Sequence, residues 1–137
     1  TFAYTGGGGG AGGGAVGVGG RGPAWGAAAL VELSGGTPQM LDDAVAIALK
    51  SQLGLVCDPV AGLVEIPCIK RNAAGAAIAF MAAELALAGI SSRIPADEVI
   101  VAMRRVGNTM SPTLKETAEG GLAATPTACR LRKQVFG

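Results

Sequence analysis

The sequence predicts an all-α protein, a compact bundle of about five helices around a central alanine-rich helix, with cysteine-bearing loops. Half of the residues are apolar, but only 4% are aromatic. This composition favours closely packed helices over a β-sandwich, which needs more β-branched and aromatic residues. Apolar residues also recur at helical spacing between glycine and proline boundaries, and a chain of 137 residues can bury one core.

The N-terminal part of the chain is set apart by its composition. Residues 6–22 are close to pure glycine with alanine and valine, which is typical of a flexible segment or one of uncertain identity. Residues 17–22 fit G-x-G-x-x-G, but no strand precedes them and no acidic residue follows on a second strand, so we reject a dinucleotide site. We expect a glycine-rich segment at 1–22 and a helical domain at 23–137, with a C-terminal tail from about 122.

Two helices are predicted before the cysteines. The first covers Ala27–Leu33 and is short, because two glycines follow it. The second has Thr37 as its N-cap and Pro38 at its first helical position, a combination typical of helix starts. Apolar residues recur on one face to about Gln52, and Gly54 ends the helix.

The most apolar helix is predicted at Asn72–Leu87, ended by Gly89. Its length approaches that of a membrane span, but Glu84 lies inside it, and alanine transfers weakly to lipid. The pattern therefore favours the buried central helix of a soluble protein over a membrane helix.

The C-terminal third is predicted to hold two further helices and a tail. One helix opens at residues 94–98, with acids in its first turn, and stops at Gly107. A last short helix begins after the cap Ser111–Pro112 and ends at Gly121. Residues 122–129 lack periodicity and contain a proline, so we expect them to be extended.

Composition also limits the chemistry and the partners. The sequence has no histidine, which excludes Ser-His-Asp and Cys-His catalysis and every zinc site that needs imidazole. Net charge is +1 and the only basic cluster is residues 130–133, so we expect no nucleic-acid partner and no membrane association. Three cysteines without a visible secretory signal argue for a reducing compartment, the cytoplasm.

Chemical information is concentrated in residues 57–75, CDPVAGLVEIPCIKRNAAG. Cys57 and Cys68 each lie near a proline, and Cys129 follows near the end of the chain. Cysteines can simply fill space as small buried hydrophobes, and C-x10-C is neither a zinc knuckle nor a ferredoxin motif. Their predicted position on loops favours ligation instead, since three thiolates can hold an iron–sulfur cluster and leave one iron open as a Lewis acid.

Arg71 and Asn72 follow Cys68 at the predicted start of the central helix. There they could bind an anion such as a substrate carboxylate; alternatively, Asn72 is only an N-cap and Arg71 a surface charge. A lysine Schiff base to pyridoxal phosphate is a rival chemistry. Nothing near Lys50, Lys70 or Lys115 supplies the phosphate-binding glycine loop that this cofactor needs.

The segments CDPVAGLVEIPCIKRNA and GLAATPTAC, within Ala27–Cys129, resemble the C-terminal catalytic part of the iron–sulfur-dependent L-serine dehydratases. The resemblance implies a lyase that deaminates L-serine to pyruvate and ammonia with a 4Fe-4S cluster whose fourth iron binds the substrate. It implies that Cys57 and Cys68 are two of three cluster ligands and that Cys129 can occupy the fourth iron in the resting enzyme. It also implies a beta domain or beta subunit as partner, and a homo-oligomer.

One family element departs from this pattern. The remaining cluster ligand of the family lies in a stretch resembling C-Q-x-E-V-G-V, and here the matching residues are 12–18, with Gly12 in place of the cysteine. Two other readings therefore stay open. One is a non-catalytic helical interaction or scaffold subunit with structural cysteines, and the other is an iron–sulfur protein for electron transfer.

Overall fold

The computed structural model describes residues 18–137, with side chains from residue 21 onward, and the part it describes is all-α. The predicted fold class is confirmed. The G-x-G-x-x-G match that we rejected begins outside the described residues, at residue 17, and its residues 18–22 belong to α1. Of the residues 12–18 that match the family's cysteine-bearing stretch, 12–17 lie outside the described residues. Five α-helices are present in this part of the chain: α1 (Val18–Leu33), α2 (Pro38–Lys50), α3 (Cys68–Leu87), α4 (Ala96–Thr109) and α5 (Pro126–Phe136). Short 3-10 turns occur at Val60–Gly62, Pro112–Leu114 and Gly121–Ala124.

The core is built mainly from alanine. Helices α1, α2 and α3 pack against one another, and α4 packs against α2. Small side chains allow the helix axes to approach closely: a Cβ added at Gly26 of α1 would lie only 3.0 Å from the Cβ of Ala79 in α3. Larger apolar side chains such as Val31, Val45 and Val99 fill the remaining space.

Helix α3 is covered on one face, by α1 and α2. Its buried residues are small: Gly75, Ala79, Ala82, Ala83 and Ala86. The opposite face is open, and Phe80 is 60% exposed there. No helix within residues 18–137 is long and apolar enough to cross a membrane.

Polar contacts fix the helix starts around this core. The Thr37 hydroxyl accepts a hydrogen bond from the Met40 amide at 3.2 Å, with Pro38 at the first helical position, as predicted. Buried Asp43 on α2 accepts from the Ser92 amide at 2.8 Å, and Lys50 donates to the Ser92 carbonyl at 2.8 Å. These two contacts fasten the segment before α4 to α2.

Several predicted boundaries differ from the structure. Helix α1 begins well before Ala27 and includes Pro23, because packing against α3 stabilises a segment of weak intrinsic helix propensity. It therefore crosses the expected division between residues 22 and 23. Helix α2 ends at Lys50, slightly earlier than predicted, and α4 continues past Gly107 to Thr109.

The C-terminal prediction was wrong in two places. No helix runs from Ser111 to Gly121: only the turn Pro112–Leu114 forms, and both Glu116 (φ 66°) and Ala118 (φ 56°) adopt left-handed backbone conformations. The segment 122–129, expected to be extended, is instead the end of the 3-10 turn Gly121–Ala124 followed by the start of α5. The Thr125 hydroxyl caps α5 by accepting from the Ala128 amide at 3.4 Å. The signal was present, because Thr125–Pro126 repeats the Thr37–Pro38 start of α2.

Candidate functional site

The loop between α2 and α3 carries the first of the paired cysteines. It leaves α2 through Gly54, whose φ of +79° places it in the left-handed region that glycine adopts readily. Farther along, the Val60 amide donates to the Ile66 carbonyl at 2.8 Å, and the loop therefore returns on itself. The Ile66–Pro67 peptide bond is cis, and α3 starts immediately after it.

Cys57 is held through its own backbone. Its amide donates to the Leu114 carbonyl at 3.0 Å, and its carbonyl accepts from the Glu116 amide at 2.8 Å. The two segments form a short parallel bridge between Cys57 and Lys115. Since both polar groups of Cys57 are engaged, the position of its half-buried thiol is set by a segment more than fifty residues farther along the chain.

The Cys57 thiol lies among charged groups. Burial, then the neighbouring Glu116 carboxylate and the Cys68 thiol, raise the pKa of Cys57 from 9.0 to about 11, and the Arg71 guanidinium acts in the opposite direction. Donation from the thiol to the Glu116 carboxylate adds to this rise in the pKa of Cys57. In the metal-free protein this cysteine is therefore protonated at neutral pH, and a metal that binds it must displace the proton.

Cys68 is the first residue of α3. The prediction that it lies on a loop was therefore wrong. Its thiol is half-buried and free. At this position the helix dipole favours negative charge nearby. Cys57 and Cys68 are close enough for their charges to interact, so the structure brings these two predicted ligands together.

Arg71 is directed toward the cysteine loop. Its Nη1 donates to the Asp58 Oδ1 at 2.5 Å and to the Val56 carbonyl at 3.0 Å, and its side chain is 26% exposed. Asn72 is exposed in α3, whose N-cap is Pro67. The alternative readings of Asn72 as an N-cap and of Arg71 as a solvated charge are therefore wrong. Whether either residue binds a substrate carboxylate stays a prediction.

Asp58 was not predicted as a site residue, yet it is the most buried charged residue near the cysteines, at 1% exposed. One carboxylate oxygen pairs with Arg71, and the other, Oδ2, accepts from the Leu122 amide at 2.6 Å. The sequence carried a signal for it, because an acid between Cys57 and Pro59 in an apolar loop needs a cationic partner if it is buried. Glu116 carried no comparable signal.

Cys129 is exposed on α5, where its amide donates to the Thr125 carbonyl at 2.9 Å. Helix α5 packs against the turn Val60–Gly62 of the cysteine loop. Within residues 18–137, no three cysteine or carboxylate side chains are placed to hold one metal ion. The structure thus places Cys57 and Cys68 within range of electrostatic interaction but does not bring Cys129 to them.

The arrangement of Cys57 and Cys68 fits two thiolate corners of an iron–sulfur cluster. Both thiols are free and half-buried, and both are carried by backbone that is fixed by hydrogen bonds or by a helix start. Thiolates in this setting are the usual ligands of such clusters. An open cleft of about 490 Å³ lies farther along, between the turn Val60–Gly62, residues 117–119 and α5. None of the three cysteines lines it.

Residues 3–123 match the family described as serine dehydratase alpha chain. The chain belongs to the serine dehydratase alpha chain family. It is 64% identical over 111 residues to a probable L-serine dehydratase alpha chain of Bacillus subtilis, covering 81% of this chain and 37% of that protein. It is 57% identical over 118 residues to a protein of the same description from Latilactobacillus sakei, covering 86% and 56%. It is 51% identical over 114 residues to the L-serine dehydratase alpha chain of Peptoniphilus asaccharolyticus, covering 83% and 39%.

The predicted resemblance is thereby confirmed. As a serine dehydratase alpha chain relative, this chain spans about 37–56% of the length of these three proteins. Cys57, Asp58, Cys68 and Arg71 fall inside the matched residues 3–123, whereas Cys129 lies beyond them.

Proposed function

We propose that this chain is part of an L-serine dehydratase that uses a 4Fe-4S cluster, with Cys57 and Cys68 as two of its ligands. The observation that carries the proposal is the pair of free, half-buried thiols of Cys57, on the loop after α2, and Cys68, at the start of α3, which lie close enough to interact electrostatically. The names of the relatives support L-serine as the substrate, and the term alpha chain supports a beta chain as partner. We place the enzyme in the cytoplasm, in line with its free thiols.

The reaction removes water across the Cα–Cβ bond of serine. A base takes the Cα proton, the β-hydroxyl leaves as water, and the product aminoacrylate tautomerises to an imine that water hydrolyses to pyruvate and ammonia. Hydroxide is a poor leaving group, and an iron–sulfur cluster with an open iron supplies Lewis-acid assistance to its departure. The absence of histidine in the sequence is compatible with this chemistry.

The chain's own residues hold the cluster ligands in place and orient the substrate. Cys57 is fixed by hydrogen bonds to residues 114 and 116, and Cys68 by its place at the start of α3. We assign Arg71 and Asn72 to the substrate side of this site. Because Nη1 of Arg71 is engaged with Asp58 and Val56, only its remaining nitrogens are offered to a carboxylate.

Cys129 has a separate proposed role, as the ligand that covers the open iron in the resting enzyme. Its segment is not the extended tail that the sequence predicted, since Cys129 lies in the first turn of α5. Reaching the site would therefore require α5 to move as a unit from the turn Val60–Gly62 against which it packs.

Anaerobic pyruvate formation from L-serine by the intact protein, assembled with its beta chain, tests the proposal. We expect Cys57→Ser and Cys68→Ser each to abolish activity and the visible charge-transfer absorbance. Cys129→Ser should retain the absorbance and remove any lag in pyruvate formation, because the substrate no longer competes with the thiol. Colourless wild-type protein without activity would contradict the proposal and favour a scaffold subunit with structural cysteines.

A further inference from the structure

Asp58 contacts all three of the segments that carry the cysteines. It follows Cys57 directly in the sequence. Its Oδ1 pairs with Arg71, three residues after Cys68, at 2.5 Å. Its Oδ2 accepts from the amide of Leu122, seven residues before Cys129, at 2.6 Å. One carboxylate thus joins the loop, the start of α3 and the turn that leads into α5.

From this geometry we propose that Asp58 is a positioning residue for the iron–sulfur site, fixing the spacing of Cys57 and Cys68 and fastening the segment that leads to Cys129. The inference rests on the proposed function. It gives Arg71 a role that the sequence did not suggest, since its Nη1 also reaches the Val56 carbonyl on the other side of Cys57 at 3.0 Å. Arg71 therefore bridges the residues on both sides of that cysteine.

A carboxylate suits this position better than an amide does. Both oxygens of Asp58 accept hydrogen bonds from donors, and the group is 1% exposed. An asparagine of the same shape has one acceptor and one NH₂ donor. Whichever way it turned, its NH₂ would face either the guanidinium of Arg71 or the amide of Leu122, leaving one buried donor without an acceptor.

Gly121 allows the close approach that this contact needs. Its φ of +59° is in the left-handed region, and a Cβ built there would overlap Oδ2, Cγ and Cβ of Asp58. Glycine at this position therefore brings the Leu122 amide onto the carboxylate. An alanine would push the turn Gly121–Ala124 away from Asp58.

The test compares Asp58→Asn with Asp43→Asn in the intact protein assembled with its beta chain. Asp43 is a suitable control because it is also buried and also accepts a backbone hydrogen bond, from Ser92 at 2.8 Å, but it lies in the helical core. A second pair is Gly121→Ala with Gly35→Ala as control, since Gly35 has a φ of +72° and nothing within 4 Å of an added Cβ. The second pair keeps the inference testable if Asp58→Asn does not fold.

Two measurements are made on each variant: amide hydrogen exchange at residues 120–125 without iron, and iron affinity with the visible spectrum after anaerobic reconstitution. We expect Asp58→Asn and Gly121→Ala to speed exchange at Leu122 roughly tenfold. We also expect them to weaken iron binding roughly 10- to 100-fold, the usual effect of losing a residue that orients metal ligands. The two control variants should change neither.

The outcomes separate the inference from the proposed function. If wild type binds iron and both Asp58→Asn and Gly121→Ala bind it equally well with the same spectrum, the positioning role is wrong and the proposed function stands. If exchange at Leu122 is unchanged in both variants, the contact itself is refuted. If wild type takes up no iron, the proposed function fails and the inference fails with it.

Discussion

The molecule has two regions that are held together in different ways. The alanine core comprises the packed faces of α1, α2, α3 and α4, where contact between small apolar side chains dominates. The cysteine layer comprises residues 55–68 and 111–137, where few apolar side chains are buried: Pro59, Val60, Ala123 and Ala128. Its segments are joined instead by backbone hydrogen bonds to Cys57 and by the two contacts of Asp58.

The alanine core therefore supplies most of the stability of the fold, whereas the cysteine layer carries the candidate ligands. Packing of apolar surface is spread over many atoms that lose their contacts together, whereas the few polar contacts in a region of low apolar burial can be lost one at a time. We therefore expect the alanine core to unfold cooperatively and the cysteine layer to open locally. A ligand bound by Cys57 and Cys68 would stabilise the layer by mass action, and the two regions would then respond differently to its removal.

The largest expected effect comes from Arg71→Met. Removing the guanidinium leaves the Asp58 carboxylate buried without its cation, which costs about 3 kcal/mol, near the lower end for such pairs because Arg71 is partly exposed. Hydrogen exchange should show the loss in the cysteine layer, with helices α1 and α2 still protected. Lys70→Met, at an exposed neighbouring position, is the control. Equal protection in the two variants would contradict the account.

Ala82→Leu should produce the opposite pattern. Ala82 is fully buried in the alanine core, and extra methylenes in a well-packed core cost about 1–3 kcal/mol. Urea unfolding followed by far-ultraviolet circular dichroism should show this loss as a lower midpoint, while exchange at Leu122 stays as in wild type. Ala76→Leu on the exposed face of α3 should leave the midpoint nearly unchanged. A midpoint that falls equally in both variants would count against tight packing at Ala82.

The thiol of Cys57 offers a chemical test of the cysteine layer. A pKa raised from 9.0 to about 11 lowers the thiolate fraction at neutral pH about a hundredfold, and the greater nucleophilicity of the more basic thiolate recovers about tenfold of it. In the metal-free protein, iodoacetamide should therefore modify Cys57 about tenfold more slowly than a small thiol of ordinary pKa.

The pH dependence of this reaction has a definite sign. Because the pKa of Cys57 is higher in the folded state than in the unfolded state, the folded thiol ionises only as pH rises toward 11. Between pH 9 and pH 11 the folded state therefore loses stability relative to its stability at lower pH. Modification rates measured by peptide mass spectrometry should keep rising above pH 9. A rate that levels off near pH 9 would show that the thiol is not buried as described.

The smallest effects come from a matched pair of helix caps. Thr37 and Thr125 both precede a proline and both cap a helix through their hydroxyl groups. Replacing either by alanine should cost about 1 kcal/mol. We expect Thr37→Ala to lower the global unfolding midpoint and Thr125→Ala to affect only exchange in α5. Equal shifts of the midpoint would mean that α5 unfolds together with the alanine core.

The sequence predicted the alanine core better than the cysteine layer, for a physical reason. Local signals such as the Thr37–Pro38 start and the apolar periodicity of α2 and α3 indicate helices directly. Helix α5 carries the same Thr–Pro start, but its polar residues show little periodicity, and its packing on Val60–Gly62 was not visible from local pattern. The bridge between Cys57 and Lys115 joins distant segments, and no periodicity in either one indicates the pairing.

The site was partly predictable in the same way. Cys57 and Cys68 stand out because prolines flank them and because the motif around them resembles a known family. The contacts of Asp58 depend on a glycine in a left-handed conformation at position 121 and on a turn that follows it. Such contacts are set by the tertiary fold, so the residue that joins the cysteine-bearing segments became apparent only in the structure.

The iron and sulfide content of the anaerobically purified intact protein tests the central claim most directly. We predict about four iron and four sulfide per alpha chain in wild type, as in a single cubic cluster, and loss of most of both in Cys57→Ser and in Cys68→Ser. Full iron and sulfide in both single variants would contradict the claim that these two cysteines hold the cluster.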